Sequence, residues 1–152
     1  DRVRHGYMIK VLRQFGFPTC FVDTIAILYC NLTCHVVVNG IPTSNFVYER
    51  GIRQRCPLGP SLFVLSLEPL LVNIDRNMHV RGFPLTGEPK IKVLAYADDV
   101  SLFVRDPASL QAFWRTLAHY AEVSGAALNM RKSKALPFRT FPHGALGELE
   151  RV

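Results

Sequence analysis

Asp98 and Asp99 stand side by side between two apolar, β-branched runs at residues 91–95 and 100–104. Two like charges at neighbouring positions repel and gain nothing from strand packing, so a positive partner has to balance them if they are more than a solvated turn. Asp favours turns on its own account, and that plain explanation stands beside the chemical one. A hard divalent cation such as Mg²⁺ takes a few carboxylates together with substrate phosphate oxygens. Acidic residues at a hairpin tip over an open face therefore suit phosphoryl transfer.

A second constellation is the run Gly51, Ile52, Arg53, Gln54, Arg55, Cys56, Pro57, Leu58, Gly59, Pro60, a loop punctuated by glycine and proline that feeds a helix start. Its cations and the amides of the helix it opens suit a polyphosphate, and the Gln54 amide can both donate to and accept from a nucleotide. The order GxxxxGK[ST] is absent, which excludes a P-loop, while a basic surface turn ahead of a buried helix would look the same. In a third, Asn129, Arg131, Lys132 and Lys134 follow a helix end at Gly125. They either face phosphate or form a solvated charge run.

These residues need elements to position them. Met8, Ile9, Val11, Leu12 and Phe15 have helical spacing that stops at Gly16, and residues 18–30 read as a second helix with Pro18 in its first turn and Phe21, Val22, Ile25, Ile27 and Leu28 inward. Residues 33–39 and 44–49 read as a hairpin turning at Asn39 and Gly40. A third helix is predicted from Pro60 to about Asn73, with Phe63, Leu67, Leu70, Leu71 and Ile74 on one stripe and a kink at Pro69. Strands at 91–95 and 100–104 flank a tight turn that carries the two aspartates. A fourth helix is capped by Asp106 with Pro107 at its first position, and its stripe of Leu110, Phe113, Trp114, Leu117 and Tyr120 reads as core. A last short strand is expected at 134–138. The sum is an α+β fold, an antiparallel sheet with helices on one face.

The composition agrees. With 49% hydrophobic residues in 152, the chain supports one folded domain with a core, and 10 Gly and 10 Pro exclude collagen-like or linker composition. The 18 Lys and Arg against 12 Asp and Glu leave +6, which fits a polyanionic partner without choosing between RNA and DNA. The longest apolar run, residues 61–72, is about half a membrane span and holds Glu68 and Pro69, so no membrane segment is expected. Cys20, Cys30, Cys34 and Cys56 form no CxxC pair and read as free thiols of an intracellular protein, and the Asn31-Leu32-Thr33 sequon reads as silent.

In this order the segments resemble the reverse transcriptases of non-LTR (LINE-type) retrotransposons. Arg50-Gly51-Ile52-Arg53-Gln54 with Cys56-Pro57-Leu58, Pro60-Ser61-Leu62-Phe63 and Glu68-Pro69-Leu70 resembles motif B, RGxRQGCPLSPxLFxLxxExL. Ala95-Tyr96-Ala97-Asp98-Asp99-Val100 resembles the [FY]xDD box of motif C. Ser124-Gly125, Leu128-Asn129 and Lys132-Ser133 resemble the SGxxLNxxKS run of motif D. The resemblance implies a polymerase palm over residues 1–138, with 139–152 as a truncated C-terminal connection, and RNA-directed DNA polymerase activity on an RNA template, a DNA primer and a dNTP. It implies Mg²⁺ or Mn²⁺ held by Asp98, with Asp99 as its acidic neighbour. Ala97 would be small where the primer end approaches, with Tyr96 packed beneath it; Arg53 and Gln54 would lie by the incoming nucleotide and Lys132 by the departing pyrophosphate.

Two departures qualify this. The family's motif A runs hDxxKAFDxVxH, and Asp1-Arg2-Val3-Arg4-His5 matches its end, so the first metal-binding Asp is expected six positions before Asp1 and the isolated chain is expected to be inactive. Arg55 stands where the family usually has Gly, and a long charged side chain there is expected to damage nucleotide binding. Gly59 in place of the common Ser is milder. The chain shows no fingers or thumb segment, so weak template grip is expected. A remnant that only binds nucleic acid through its basic surface is the competing expectation.

Overall fold

Helix α1 (His5–Gln14) buries Met8, Val11 and Leu12 on one stripe. It stops where Gly16 takes φ +78°, with the Gly16 amide bonded to the Arg13 carbonyl and the Phe17 amide to the Leu12 carbonyl. This paired C-terminal closure is available because glycine has no Cβ to clash in the left-handed region. The computed structural model describes residues 2–53, 56–84, 90–137 and 150–151, so Asp1, Gln54, Arg55, Phe138 and most of the expected C-terminal connection lie outside the described residues. The chain divides into two compact units, residues 1–67 with 123–126 and residues 68–122 with 127–152.

In the first unit α1 packs on α2 (Thr19–Leu28), whose N-cap position is held by Pro18. Only Val22 and Ile25 of α2 are buried. Ile27 and Leu28 face outward, at 74% and 51% exposure, against the expectation that they join the core. The helix is apolar almost all round, so its periodicity cannot select a face, and the seat beside Met8 and Leu12 admits only one. Val3, Tyr29, Ile52 and Leu62 complete this core.

Strands β1 (Thr33–Cys34) and β4 (Phe46–Val47) pair antiparallel, and β2 (Val37–Val38) with β3 (Ile41–Pro42) continues the hairpin. Asn39 at φ +51° and Gly40 at φ +83° turn it, as the Asn-Gly pair foretells.

Helix α3 (Gly59–Arg76) is longer than expected at both ends and continues on both sides of Pro69. In the second unit its later turns bury Leu70 and Ile74. Strands β5 (Val93–Tyr96) and β6 (Asp99–Leu102) form an antiparallel hairpin, and α4 (Pro107–Ser124) follows with Leu110, Phe113 and Tyr120 buried. Strand β7 (Lys134–Ala135) pairs in parallel with β8 (Glu150–Arg151), a strand that no periodicity signalled.

The fold is α+β, but the described strands form four two-stranded ladders instead of one antiparallel sheet, and one of the four is parallel. The turn at Asn39-Gly40 closes two of them and the turn at Ala97-Asp98 a third, and the segment before β5 meets the hairpin at the Phe83–Ile91 bridge. No helix among the described residues is long and apolar enough to cross a membrane. All four cysteines are free.

Candidate active site

The two aspartates sit at the turn of the β5–β6 hairpin. Its register pairs Val93 with Leu102, Leu94 with Ser101, Ala95 with Val100 and Tyr96 with Asp99, which leaves Ala97 and Asp98 as the two turn residues. Side chains on paired strands alternate faces, so Asp99 shares a face with Tyr96, Leu94 and Ser101. Residues 94–101 are all exposed, Tyr96 at 86%. Tyr96 therefore presents its ring to solvent and does not pack beneath Ala97. Ala97 takes φ +52°, a region that costs an L-residue about 1–2 kcal/mol. The strain of the turn thus sits on Ala97, beside Asp98.

A neighbouring segment braces this hairpin. The Phe83 amide donates to the Ile91 carbonyl at 2.8 Å and the Ile91 amide returns a bond to Phe83 at 3.1 Å, while the Arg105 amide donates to the Arg81 carbonyl at 3.0 Å. Between them Gly82 passes so close that a Cβ would lie 2.2 Å from the Ile91 carbonyl oxygen. The Lys92 ammonium donates to the carbonyls of Asp75 and Asn77 at the end of α3. Val93 and Ala95, on the face opposite Asp99, look across a groove of about 370 Å³ to Glu68, Leu71, Val72, Asp75 and Arg76 of α3. At the far end Asp106 caps α4, with Ser109 N–H donating to Oδ1 at 2.7 Å and the Arg81 guanidinium 3.9 Å from Oδ2. The Ser109 amide, foremost, holds the Asp106 carboxyl below its usual range, against a smaller opposing push from burial.

The donor set at the tip is two exposed carboxylates with hard oxygens, which suits Mg²⁺ or Mn²⁺. Among the described residues no group of three or more His, Cys, Asp or Glu gathers that could hold a metal ion.

Lys132 lies on an exposed turn in the same unit. Asn129 organises that turn, its carbonyl accepting from the amides of Lys132 and Ser133 at 3.1 and 3.0 Å and from the Ser133 hydroxyl at 2.9 Å. No hydrogen bond or ion pair among the described residues joins Lys132 to Asp98 or Asp99.

Arg53 belongs to the first unit and is exposed, and its neighbour Gln54 lies outside the described residues. The loop that carries Arg53 is fastened from below. Gly51, at φ +92°, donates to the Val3 carbonyl at 2.8 Å and accepts from His5 Nε2 at 2.9 Å. A carbonyl only accepts, so this bond puts the imidazole proton on Nε2. Ile52 is buried in the core, and Gly59 starts α3 where a Cβ would meet the Arg53 carbonyl oxygen and Ile52 Cγ2 at 3.2 Å.

Sequence reasoning missed Tyr29. Its ring meets His5 edge-on at 4.8 Å, and its buried hydroxyl finds no partner in hydrogen-bond geometry among the described residues. Burial pushes the phenol up, the Cys56 thiol adds to this, and the Arg53 backbone works against it. Tyr29 thus lies under the loop that presents Arg53. An aromatic residue at the end of an apolar helix is too common a signal to have marked it.

Residues 1–141 match the family model described as reverse transcriptase (RNA-dependent DNA polymerase). The chain belongs to the reverse transcriptase family. Its relatives include the "Transposon TX1 uncharacterized 149 kDa protein" of Xenopus laevis, 36% identical over 138 residues, which are 90% of this chain and 10% of the frog protein. The "Retrovirus-related Pol polyprotein from type-1 retrotransposable element R2" of Popillia japonica is 30% identical over 137 residues, 90% of this chain and 19% of that protein. The "Retrovirus-related Pol polyprotein from type-2 retrotransposable element R2DM" of Drosophila melanogaster is 28% identical over 132 residues, 87% of this chain and 12% of the fly protein. This reverse transcriptase chain thus spans between a tenth and a fifth of these relatives. They are transposon proteins, in agreement with the non-LTR retrotransposon membership that motifs B, C and D carry.

Proposed function

We propose that residues 1–138 form the palm portion of a non-LTR retrotransposon reverse transcriptase, with 139–152 leading out of it, and that Asp98 is its motif C metal ligand. The observation that carries this reading is the β5–β6 register, which leaves Asp98 at an exposed turn beside Asp99. A divalent cation bound there supplies activation of the primer 3′ hydroxyl and charge neutralisation at the leaving pyrophosphate. Asp98 and Asp99 provide the fixed negative charge that recruits it. Ala97, with a single methyl, leaves room for the primer terminus, and the exposed Tyr96 ring offers a flat apolar surface beside it. Arg53 and Gln54 contact the incoming dNTP, and Lys132 stabilises charge that develops on the leaving group. RNA template and DNA primer are the polymer substrates.

The test is Mg²⁺ or Mn²⁺ titration of the chain and of Asp98→Asn. Weaker metal binding in the variant is expected, and unchanged binding removes the catalytic reading of the hairpin.

A further inference from the structure

The first turn of α1 and the Glu49–Arg50 segment enclose a groove of about 380 Å³, lined by Arg4, His5, Gly6, Lys10, Glu49 and Arg50 among others. It lies wholly in the first unit and contains none of the motif C or motif D residues. Segments far apart in sequence are fastened into its walls by the Arg4–Arg50 bridge and by the His5 to Gly51 bond. We infer that this groove is a binding site for the phosphodiester backbone of a nucleic-acid strand.

Three observations carry the inference. The side chains bring three permanent cations, Arg4, Lys10 and Arg50, against the single carboxylate of Glu49. Among the described residues neither Lys10 nor Arg50 is paired with a carboxylate, so both ammonium and guanidinium remain available to phosphate. The floor is the start of a ten-residue helix whose N-cap residue, Arg4, makes no capping bond and whose first turn has no acidic residue. The helix ladder begins with the Tyr7 and Met8 amides on the Arg4 carbonyl, and among the described residues no acceptor takes the His5 and Gly6 amides. Gly6 has nothing within 4 Å of where a Cβ would stand, so an anion can approach the backbone there.

The groove rests on the reverse transcriptase reading for the kind of polyanion it takes, and it adds a grip on the strand outside the catalytic hairpin. The opposed Glu49 charge gives selectivity, since it disfavours a bare, highly charged polyphosphate more than a singly charged phosphodiester.

The test is fluorescence anisotropy of a labelled oligouridylate with the full chain at several salt concentrations. Lys10→Gln is expected to weaken binding several-fold and to reduce the slope of log Kd against log salt by about 0.7, the effect of one lost phosphate contact on a single strand. Gly6→Leu, which fills the groove with a better helix former, is expected to weaken binding without lowering thermal stability. Arg115→Gln, the same charge loss on an exposed position of α4, is expected to change Kd less than Lys10→Gln. Binding by the wild type with no loss in Lys10→Gln and Gly6→Leu, or an equal loss in Arg115→Gln, overturns the groove. It leaves the polymerase reading standing, because that reading is judged by metal binding at Asp98. Tight inorganic pyrophosphate binding that Lys10→Gln abolishes, with RNA binding unchanged, also overturns a strand site.

Discussion

Tyr96 and Asp99 face each other across the last rung of the β5–β6 ladder, so Ala97 and Asp98 alone turn the chain. That register fixes which carboxylate projects from the tip and which begins a strand, and it loads the left-handed conformation onto Ala97.

Ala97→Gly relieves this conformation. Relief of about 1–2 kcal/mol against a glycine entropy cost of about 0.5–1 kcal/mol predicts a net gain of up to about 1.5 kcal/mol. Ala97→Val, β-branched at positive φ, is expected to destabilise. Thermal melting of both variants checks the opposite signs; equal shifts would remove strain from the account of the tip.

Gly82 is the tightest backbone approach beside the hairpin, since a Cβ would sit 2.2 Å from the Ile91 carbonyl oxygen. Gly82→Ala is expected to cost about 1–3 kcal/mol, the usual penalty for overpacking. It should also speed amide exchange at Phe83 and Ile91, whose mutual bonds must open to admit the methyl. Denaturant unfolding with amide exchange reads both effects, and an unchanged midpoint would contradict the geometry.

Much of the frame was legible in local chemistry. Asn39-Gly40 foretold a hairpin turn, Gly16 a helix end and Asp106-Pro107 a helix start, because each requirement is met within a few residues. The Asp98-Asp99 tip was legible for the same reason. What escaped depends on tertiary approach. Gly82 reads as a plain loop glycine until Ile91 lies against it. Tyr29 has no special signature until His5 and the Arg53 loop close over it, and Ile27 is as apolar as Ile25 until the core takes one face of α2. The β7–β8 pairing is parallel and non-local, so no turn announces it.

Asp106 links stability to pH. Its folded pKa lies below the ordinary 3.8, so its contribution is present in full above the unfolded value and is lost as pH falls through the folded one. Asp106→Ala is expected to cost about 1 kcal/mol near neutrality, as loss of an N-cap does. The gap between the two proteins should close as pH drops below the carboxylate range. A gap that persists in acid would show that capping charge is not its source.

Arg55→Gly tests the second departure from the family pattern. In a polypeptide extended upstream through motif A, the substitution is expected to raise nucleotide incorporation. Equal or lower incorporation would show that Arg55 is tolerated or used.

The central claim is that Asp98 serves metal-dependent nucleotide addition. Primer extension on an RNA template, with the chain extended upstream through motif A and compared with its Asp98→Asn variant, tests it most directly. The account predicts Mg²⁺- or Mn²⁺-dependent extension that falls by about a thousandfold or more in Asp98→Asn, comparable to about 4 kcal/mol of lost transition-state stabilisation. Extension that survives Asp98→Asn at the parent rate would contradict it.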